Sequence, residues 1–346
     1  SMYQIVSAID AKSGKTIWTF DPEMWKGKRP GQLGYNARGI AYWTDGKGDE
    51  RIILATQPNY MYAIDAKSGK LCEDFGENGK LDLIPFYRRP VQRNKVWAVS
   101  PAIVIGNTIV IGRAINDGPI VKEAPPGDVF GIDVRTGEKK WTFYNPPLKG
   151  TEGYETWLDD SGEYSGNSNV WTHMSGDEEL GLVYLPFGTP TNDWYGGHRK
   201  GNNVFAESLV AVNAETGERV WHYQMVHHGL WDYDLPTAPA LIDITVDGRK
   251  IKALAQASKQ AFLYILDRTN GKPVWPIEER EVPQSKVLGE QTSLTQPFPT
   301  KPDPYYEQGS TEDRLIDYTP ELKAEAKKIL EKYNTGPLFT PPMSSD

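Results

Sequence analysis

The sequence predicts an all-β chain whose short sheets stack radially, as the blades of a propeller. Three observations predict it: one strand–turn–strand motif recurs five times, its copies are spaced as blades with long loops would be, and turn formers accompany abundant aromatics. The 346 residues include 11 Trp, 18 Tyr, 33 Gly and 26 Pro. That mixture suits many short strands separated by turns better than long helices.

The motif is local and mechanical. Its first copy is Ser7-Ala8-Ile9-Asp10-Ala11-Lys12-Ser13-Gly14-Lys15-Thr16-Ile17-Trp18, and Tyr62-Ala63-Ile64-Asp65-Ala66-Lys67-Ser68-Gly69-Lys70 repeats it. Further copies centre on Asp133, Gly137 and Trp141, on Asn213, Gly217 and Trp221, and on Asp267, Gly271 and Trp275. A short apolar strand ends at Asp or Asn, whose side chain can hydrogen-bond the turn backbone. Gly follows four residues later, where a tight hairpin wants positive φ. Trp stands eight residues after the Asp or Asn and can wedge between neighbouring sheets. The second copy has Glu73 at the Trp position, with Cys72 just before it, so Cys72 reads as a small buried hydrophobe.

Such a unit cannot bury itself alone and must stack on copies of itself. Successive Asp/Asn positions lie 55, 68, 80 and 54 residues apart, against roughly 40–50 for a bare four-stranded blade. The excess implies loops long enough to build a site. Residues 276–337 read as a long Pro-rich excursion ending in one short helix near 320–333. Thr319 is its N-cap, Pro320 its first residue, and Leu322, Ala326, Ile329, Leu330 and Tyr333 its apolar side. The segment 338–342 looks like the entry into a further blade. The opening, Ser1-Met2 running straight into strand-like residues, reads as a cut start, and 1–346 as a single partial propeller domain.

A net charge of −8 speaks against a nucleic-acid or anionic-membrane surface. No apolar run approaches the ~20 residues of a membrane span, so membrane contact is expected only through parts absent here. The lone Cys72 excludes an internal disulfide framework. No Gly-x-Ser-x-Gly, phosphate-cradling Gly loop or Cys-x-x-Cys-His is present, and His227-His228 lacks a third ligand at zinc spacing.

The repeats, together with Val226-His227-His228-Gly229-Leu230-Trp231-Asp232-Tyr233-Asp234-Leu235-Pro236, resemble the dehydrogenases that use pyrroloquinoline quinone (PQQ). The glucose dehydrogenase type is the nearer likeness, with some alcohol-type features. The resemblance runs over essentially the whole chain. It implies an eight-bladed propeller of which this chain looks like the middle two-thirds.

What the resemblance implies for individual residues is specific. Asp232 matches the catalytic base that takes the substrate hydroxyl proton as hydride leaves for the quinone. Lys259, in Ala257-Ser258-Lys259-Gln260, matches the Lys that binds the quinone oxygens, where a cation favours reduction. Arg38, in Asn36-Ala37-Arg38-Gly39, would hold a PQQ carboxylate with its planar fork. Trp171, in Gly166-Asn167-Ser168-Asn169-Val170-Trp171, matches the flat floor under the cofactor. His228 is placed on the cofactor side, supporting the Asp232 loop.

PQQ chemistry calls for a cation held by hard oxygens: Ca²⁺, Mg²⁺ or a lanthanide. Asp117, with Asn116, is the expected ligand, and Glu123 the rival. Asn192, Asp232 and Asp234 complete the expected set. Asp234 could instead hydrogen-bond the loop, and each of the others could be a turn residue or a solvated charge. Trp43 stands where the glucose type has a His, and the alcohol type's vicinal Cys pair is absent. The resemblance accordingly implies a sugar or an alcohol as substrate, with electrons passing to ubiquinone or cytochrome c in the periplasm. The competing expectation is a non-catalytic propeller scaffold that uses the same Trp wedges and holds no cofactor.

Overall fold

The structure, a computed structural model, describes residues 3–27, 37–116 and 121–344. Three antiparallel four-stranded sheets follow one another along the chain, each a simple meander. The first blade comprises Ala41–Thr44, Glu50–Ala55, Tyr60–Asp65 and Lys80–Asp82. The second comprises Ile103–Ile105, Thr108–Ile111, Val129–Asp133 and Lys139–Phe143. The third comprises Ser175–Asp177, Leu182–Pro186, Ser208–Asn213 and Arg219–Gln224. A fourth sheet has three strands, Ala240–Val246, Arg249–Ala257 and Leu263–Asp267. A hairpin of Val6–Ile9 and Thr16–Phe20 precedes them all. The sheets do not close into a ring among the described residues, so the architecture is that of an incomplete β-propeller.

The core lies between blades, and strand alternation assigns its residues. Ile109 and Ile111 join the cluster shared with the first blade's Ile53 and Met61, whereas Val110 between them joins the cluster shared with the third blade's Val183 and Val210. Leu182, Tyr184, Leu209 and Ala211 turn the other way, onto Leu254, Tyr264 and Leu266 of the fourth sheet. Successive side chains of a strand point to opposite faces, and here both faces are covered. That is why Leu182–Pro186 is buried at every position.

The repeat works as its residues suggest. In every copy the Gly N–H returns to the Asp or Asn carbonyl, at 2.8–2.9 Å. The side-chain oxygen of Asp10, Asp65, Asp133 and Asn213 accepts from the N–H three residues on, and that of Asp267 from Thr269. The turn glycines have φ of 71–75°. Three of the indoles dock on the turn of the following sheet. Trp18, Trp141 and Trp221 donate Nε1–H to the carbonyls of Ala66, Ala214 and Arg268 at 3.0, 2.9 and 3.0 Å. Their rings lie so close over Gly69, Gly217 and Gly271 that a Cβ there would stand 2.5–2.6 Å from the indole. The glycine is thus needed twice, for its φ and for the ring above it.

The second copy, lacking Trp, solves the same problem with a different residue. Phe75 is fully buried and lies beside Gly137 of the next turn, and Gly76 N–H donates to the Thr136 carbonyl at 2.9 Å. Cys72 is half-buried against the same cluster, and burial pushes its thiol up to about 11, which keeps it protonated and unreactive.

Three expectations for the C-terminal part change. The excursion after 276 contains a two-stranded ribbon, Ile277–Glu281 with Thr295–Pro299. The helix is Pro320–Leu330, capped by Thr319, whose Oγ1 accepts from Leu322 N. Its apolar side is not buried: Leu322 and Ile329 are exposed. Segment 338–342 forms no strand; it docks by Phe339, fully buried against Trp231, Tyr233 and Phe298 with ring centroids 5.2–5.8 Å apart. No helix among the described residues is long and apolar enough to cross a membrane.

Candidate functional site

A four-stranded meander sends its second-to-third loop and its exit to the next blade out at one end, and its other two turns at the opposite end. Arg38 precedes the first blade, Trp171 lies between the second and third, and Asp232 and Asp234 lie between the third and the fourth sheet. Thr189, Asp193 and Trp194 belong to the second-to-third loop of the third blade, and Lys259 to that of the fourth sheet. Topology therefore puts all of them at the same end. They line one cavity of about 340 Å³, within the range of roughly 300–1,000 Å³ usual for small-molecule sites. Val99, Ala114, Ile115, Asn167 and Asn169 complete its wall.

Lys259 is the centre of the charge arrangement. Its Nζ lies 2.9 Å from Asp232 Oδ1 and 3.0 Å from Asp234 Oδ2. Asp234 accepts two further bonds, from Trp171 Nε1 at 3.2 Å and from Thr189 N at 2.7 Å. One carboxylate thus ties together three loops. The 232–234 segment is not an extended run: Asp232 has φ 54°, in the left-handed region that non-glycine residues seldom adopt. The two carboxylates converge nonetheless, because both face the same ammonium.

These contacts set the acidities. Burial and the neighbouring Asp234 push the Asp232 carboxyl up to about 6, against the pull of Lys259. Burial works against the Lys259 ammonium, but Asp234 and Asp232 together outweigh it and raise its pKa. Arg38 sits with its guanidinium carbon 5.1 Å from the centroid of a Trp171 ring, a cation–π contact. Its Nη1 reaches Ser100 Oγ at 3.3 Å, and burial lowers its pKa. Guanidinium, ammonium, indole and two carboxylates therefore meet in one cavity.

The remaining expected residues stand elsewhere. His228 is buried outside the cavity lining, with Nδ1 facing the Gly201 carbonyl at 2.8 Å and Nε2 facing Glu290 Oε1 at 2.7 Å. It anchors the start of the loop that carries Asp232. Asn192 is not in the lining either; its carbonyl accepts from Arg199 Nη2 at 2.8 Å, and the next residue, Asp193, lines the cavity instead. Asn116 and Glu123 line a separate cavity of about 440 Å³ with Arg89 and Tyr164. Asp117 lies outside the described residues. Trp43 is a blade residue, donating to the Gly106 carbonyl at 2.9 Å.

Sequence reasoning passed over Asn169, Thr189, Asp193 and Trp194, although Asn169 stands in the run ending at Trp171 and the other three lie within three residues of Asn192. It also missed Glu207 and Glu290, which lie behind the site. The available signal for Glu207 was a lone carboxylate in the apolar run 204–212.

The described residues suit a flat, anionic, quinone-type cofactor. Cations stand at Arg38 and Lys259, an indole faces the space, and the buried Asn169 Oδ1 has no hydrogen-bond partner. They do not assemble a metal centre. No group of three His, Cys, Asp or Glu among them is arranged for one, and the two closest carboxylates are held by Lys259.

Comparison with known proteins identifies the family. The family model described as the glucose/ethanol/alcohol dehydrogenase, β-propeller domain, named for PQQ, matches residues 1–346. Quinoprotein glucose dehydrogenase of Escherichia coli is 36% identical over 310 residues, covering 86% of this chain and 38% of that protein. The glycerol dehydrogenase large subunit of Gluconobacter oxydans is 32% identical over 308 residues, covering 85% and 40%. Among solved structures, quinohemoprotein alcohol dehydrogenase from Comamonas testosteroni superposes with a TM-score of 0.66 at 25% identity, covering 86% of this chain and 43% of that one. This chain spans about two-fifths of the length of such relatives. With the family model matched from end to end, the chain belongs to the β-propeller family of PQQ-dependent glucose, ethanol and alcohol dehydrogenases.

Proposed function

We propose that the full-length protein oxidises a sugar or alcohol hydroxyl with PQQ held in the 340 Å³ cavity. The observation that carries this is the meeting of Lys259, Asp232 and Asp234 within 3.0 Å in a space also lined by Arg38 and Trp171. When bound, PQQ would supply a two-electron acceptor for hydride from the substrate carbon. Asp232 takes the hydroxyl proton at its carboxylate, and a pKa near 6 leaves it mostly ionised at neutral pH while keeping it basic enough to accept that proton. Lys259 provides positive charge where a quinone oxygen gains electrons. Arg38 binds a cofactor carboxylate, and Trp171 offers a flat apolar face. Asp234 holds Lys259, Trp171 and the Thr189 turn in register.

The hard cation that the resemblance implies, Ca²⁺ before Mg²⁺ or a lanthanide, would be held through Asp117. The acceptor is ubiquinone or a cytochrome and the setting the periplasm, as the resemblance implies. The test is reconstitution of the full-length protein with PQQ and Ca²⁺, read with a dye acceptor over a panel of sugars and alcohols. PQQ-dependent turnover is expected. Turnover that survives intact in Asp232→Ala removes Asp232 from the chemistry.

A further inference from the structure

Behind the cavity, two carboxyl side chains lock two loops together, each pressed against a glycine of the opposite loop. Asp234 packs on Gly188: a Cβ there would stand 2.3 Å from Asp234 Oδ1. Glu207 packs on Gly229: a Cβ there would stand 1.6 Å from Glu207 Oε2. Only the first of these carboxylates lines the cavity. The second is fully buried and has no part in the proposed chemistry.

We propose that Glu207 is a positioning residue for the Asp232–Asp234 cluster, acting through Thr189 and Gly229. The proposal rests on the reading of the cavity as a dehydrogenase site. Glu207 is fixed on both sides by its backbone, donating to the Gly188 carbonyl at 3.1 Å and accepting from Met225 N at 2.9 Å. Its Oε1 accepts from Thr189 Oγ1 at 3.0 Å, and the N–H of that same Thr189 donates to Asp234 Oδ1 at 2.7 Å. A change at Glu207 is therefore two bonds away from the carboxylate that holds Lys259 and Trp171.

Gly229 is gripped from its other side as well. Its carbonyl accepts from Arg199 Nη2 at 2.7 Å, and Arg199 is itself fully buried. Three residues later comes Asp232. Glu207 and Arg199 thus hold the start of the catalytic loop between them, while Glu207 and Thr189 hold its end. Burial pushes the Glu207 carboxyl up to about 8, so at neutral pH it is mainly the neutral acid. Glutamine copies that form in size and in its acceptor oxygen, and alanine copies neither.

This predicts a specific pattern in the full-length, PQQ-loaded protein. Glu207→Ala lowers kcat about tenfold with KM within about twofold, as loss of an outer-shell support does, while Glu207→Gln recovers kcat to within about threefold of wild type. Gly229→Ala, which drives a methyl into the Glu207 carboxyl, lowers both kcat and the melting temperature. In the Glu207→Ala background the same Gly229→Ala change costs little in either, because the atom it collides with is gone. The melting cycle reads the contact without reference to turnover.

Equal impairment of the Ala and Gln variants overturns the proposal, as do additive effects of Gly229→Ala and Glu207→Ala on kcat and melting. An active wild type with either outcome removes Glu207 alone. A wild type without PQQ-dependent turnover removes the dehydrogenase reading, and with it the positioning role.

Discussion

The two ends of the propeller use the same side chain for opposite purposes. At the turn end, Asp10, Asp65 and Asp133 accept hydrogen bonds from the backbone and side chains of their own hairpins, and their pKa values lie below the usual carboxylate range. For Asp133, burial pulls upward, but the N–H groups of Thr136 and Arg135 prevail. At the loop end, Asp232 is pushed up to about 6 by burial and by Asp234. One group of aspartates is kept ionised so that a turn holds; the other is left protonatable, as the proposed general base requires. The residue type decides neither outcome; the donors that face it do.

The largest test of that contrast is at the loop end. Asp232→Asn in the reconstituted full-length protein is expected to lower turnover by about 10²–10⁴, the usual worth of a positioned general base, with the melting temperature retained. Loss of fold together with activity would make Asp232 a structural residue like its counterparts in the turns. Next in size is a change confined to the turn end. Trp141→Ala removes a buried indole that bridges the second and third blades and should cost about 3–5 kcal/mol in denaturant unfolding. The folded remainder should keep wild-type kcat, because Trp141 contacts Ala214 and Gly217 rather than the cavity.

A third test sharpens the electrostatic side. The kcat/KM profile should fall on its acid side around pH 6, following Asp232. Lys259→Ala leaves Asp232 and Asp234 to repel each other unrelieved, so the acid limb should move upward as turnover falls. A limb that stays in place would mean Lys259 does not set the acidity of the pair. The smallest effect is expected at Asp133→Asn. Asn213 does the same work in the third blade, accepting from Glu215 N and Thr216 N at 2.9 and 3.0 Å, so the cost should be ~1 kcal/mol or less.

The acid response of that last variant carries its own sign. Asp133 is more acidic folded than unfolded, so its stabilisation is complete above the ordinary carboxylate pKa and is lost as pH falls through its lower folded value. Asn at 133 should flatten that slope in melts taken toward low pH. Asp232 runs the other way: its folded pKa is raised, so its contribution is most favourable below the ordinary value and is lost as pH rises through about 6.

What the sequence showed follows the same division. The turn end was legible because its signature lies within a dozen residues: Asp, Gly and Trp recur at fixed offsets, although the latched indoles seat 47–73 residues further on. Phe75 was not legible as the substitute latch, since it stands ten residues after Asp65, two beyond the Trp position of the other copies. The ribbon Ile277–Glu281 hid because its residues are mostly exposed charges with no apolar alternation. At the loop end, Arg38, Trp171, Asp232, Asp234 and Lys259 were found through a family resemblance, not through spacing. Glu207 and Glu290 escaped because their partners stand far along the chain: Thr189 at the other end of Glu207's own loop, Gly229 and His228 in the loop that carries Asp232. The helix was read correctly at its cap, where the signal is one hydrogen bond; that its apolar side stays exposed depends on what packs there, which the sequence does not carry.

The segregation of the indole latches has a further consequence. Connections at the latch end stay short, such as 106–107 and 247–248, whereas 144–174 and 187–207 at the other end are long. Duplications and deletions on that far rim leave every indole its seat, so heritable change can try new substrate chemistries there without renegotiating how adjacent sheets recognise one another.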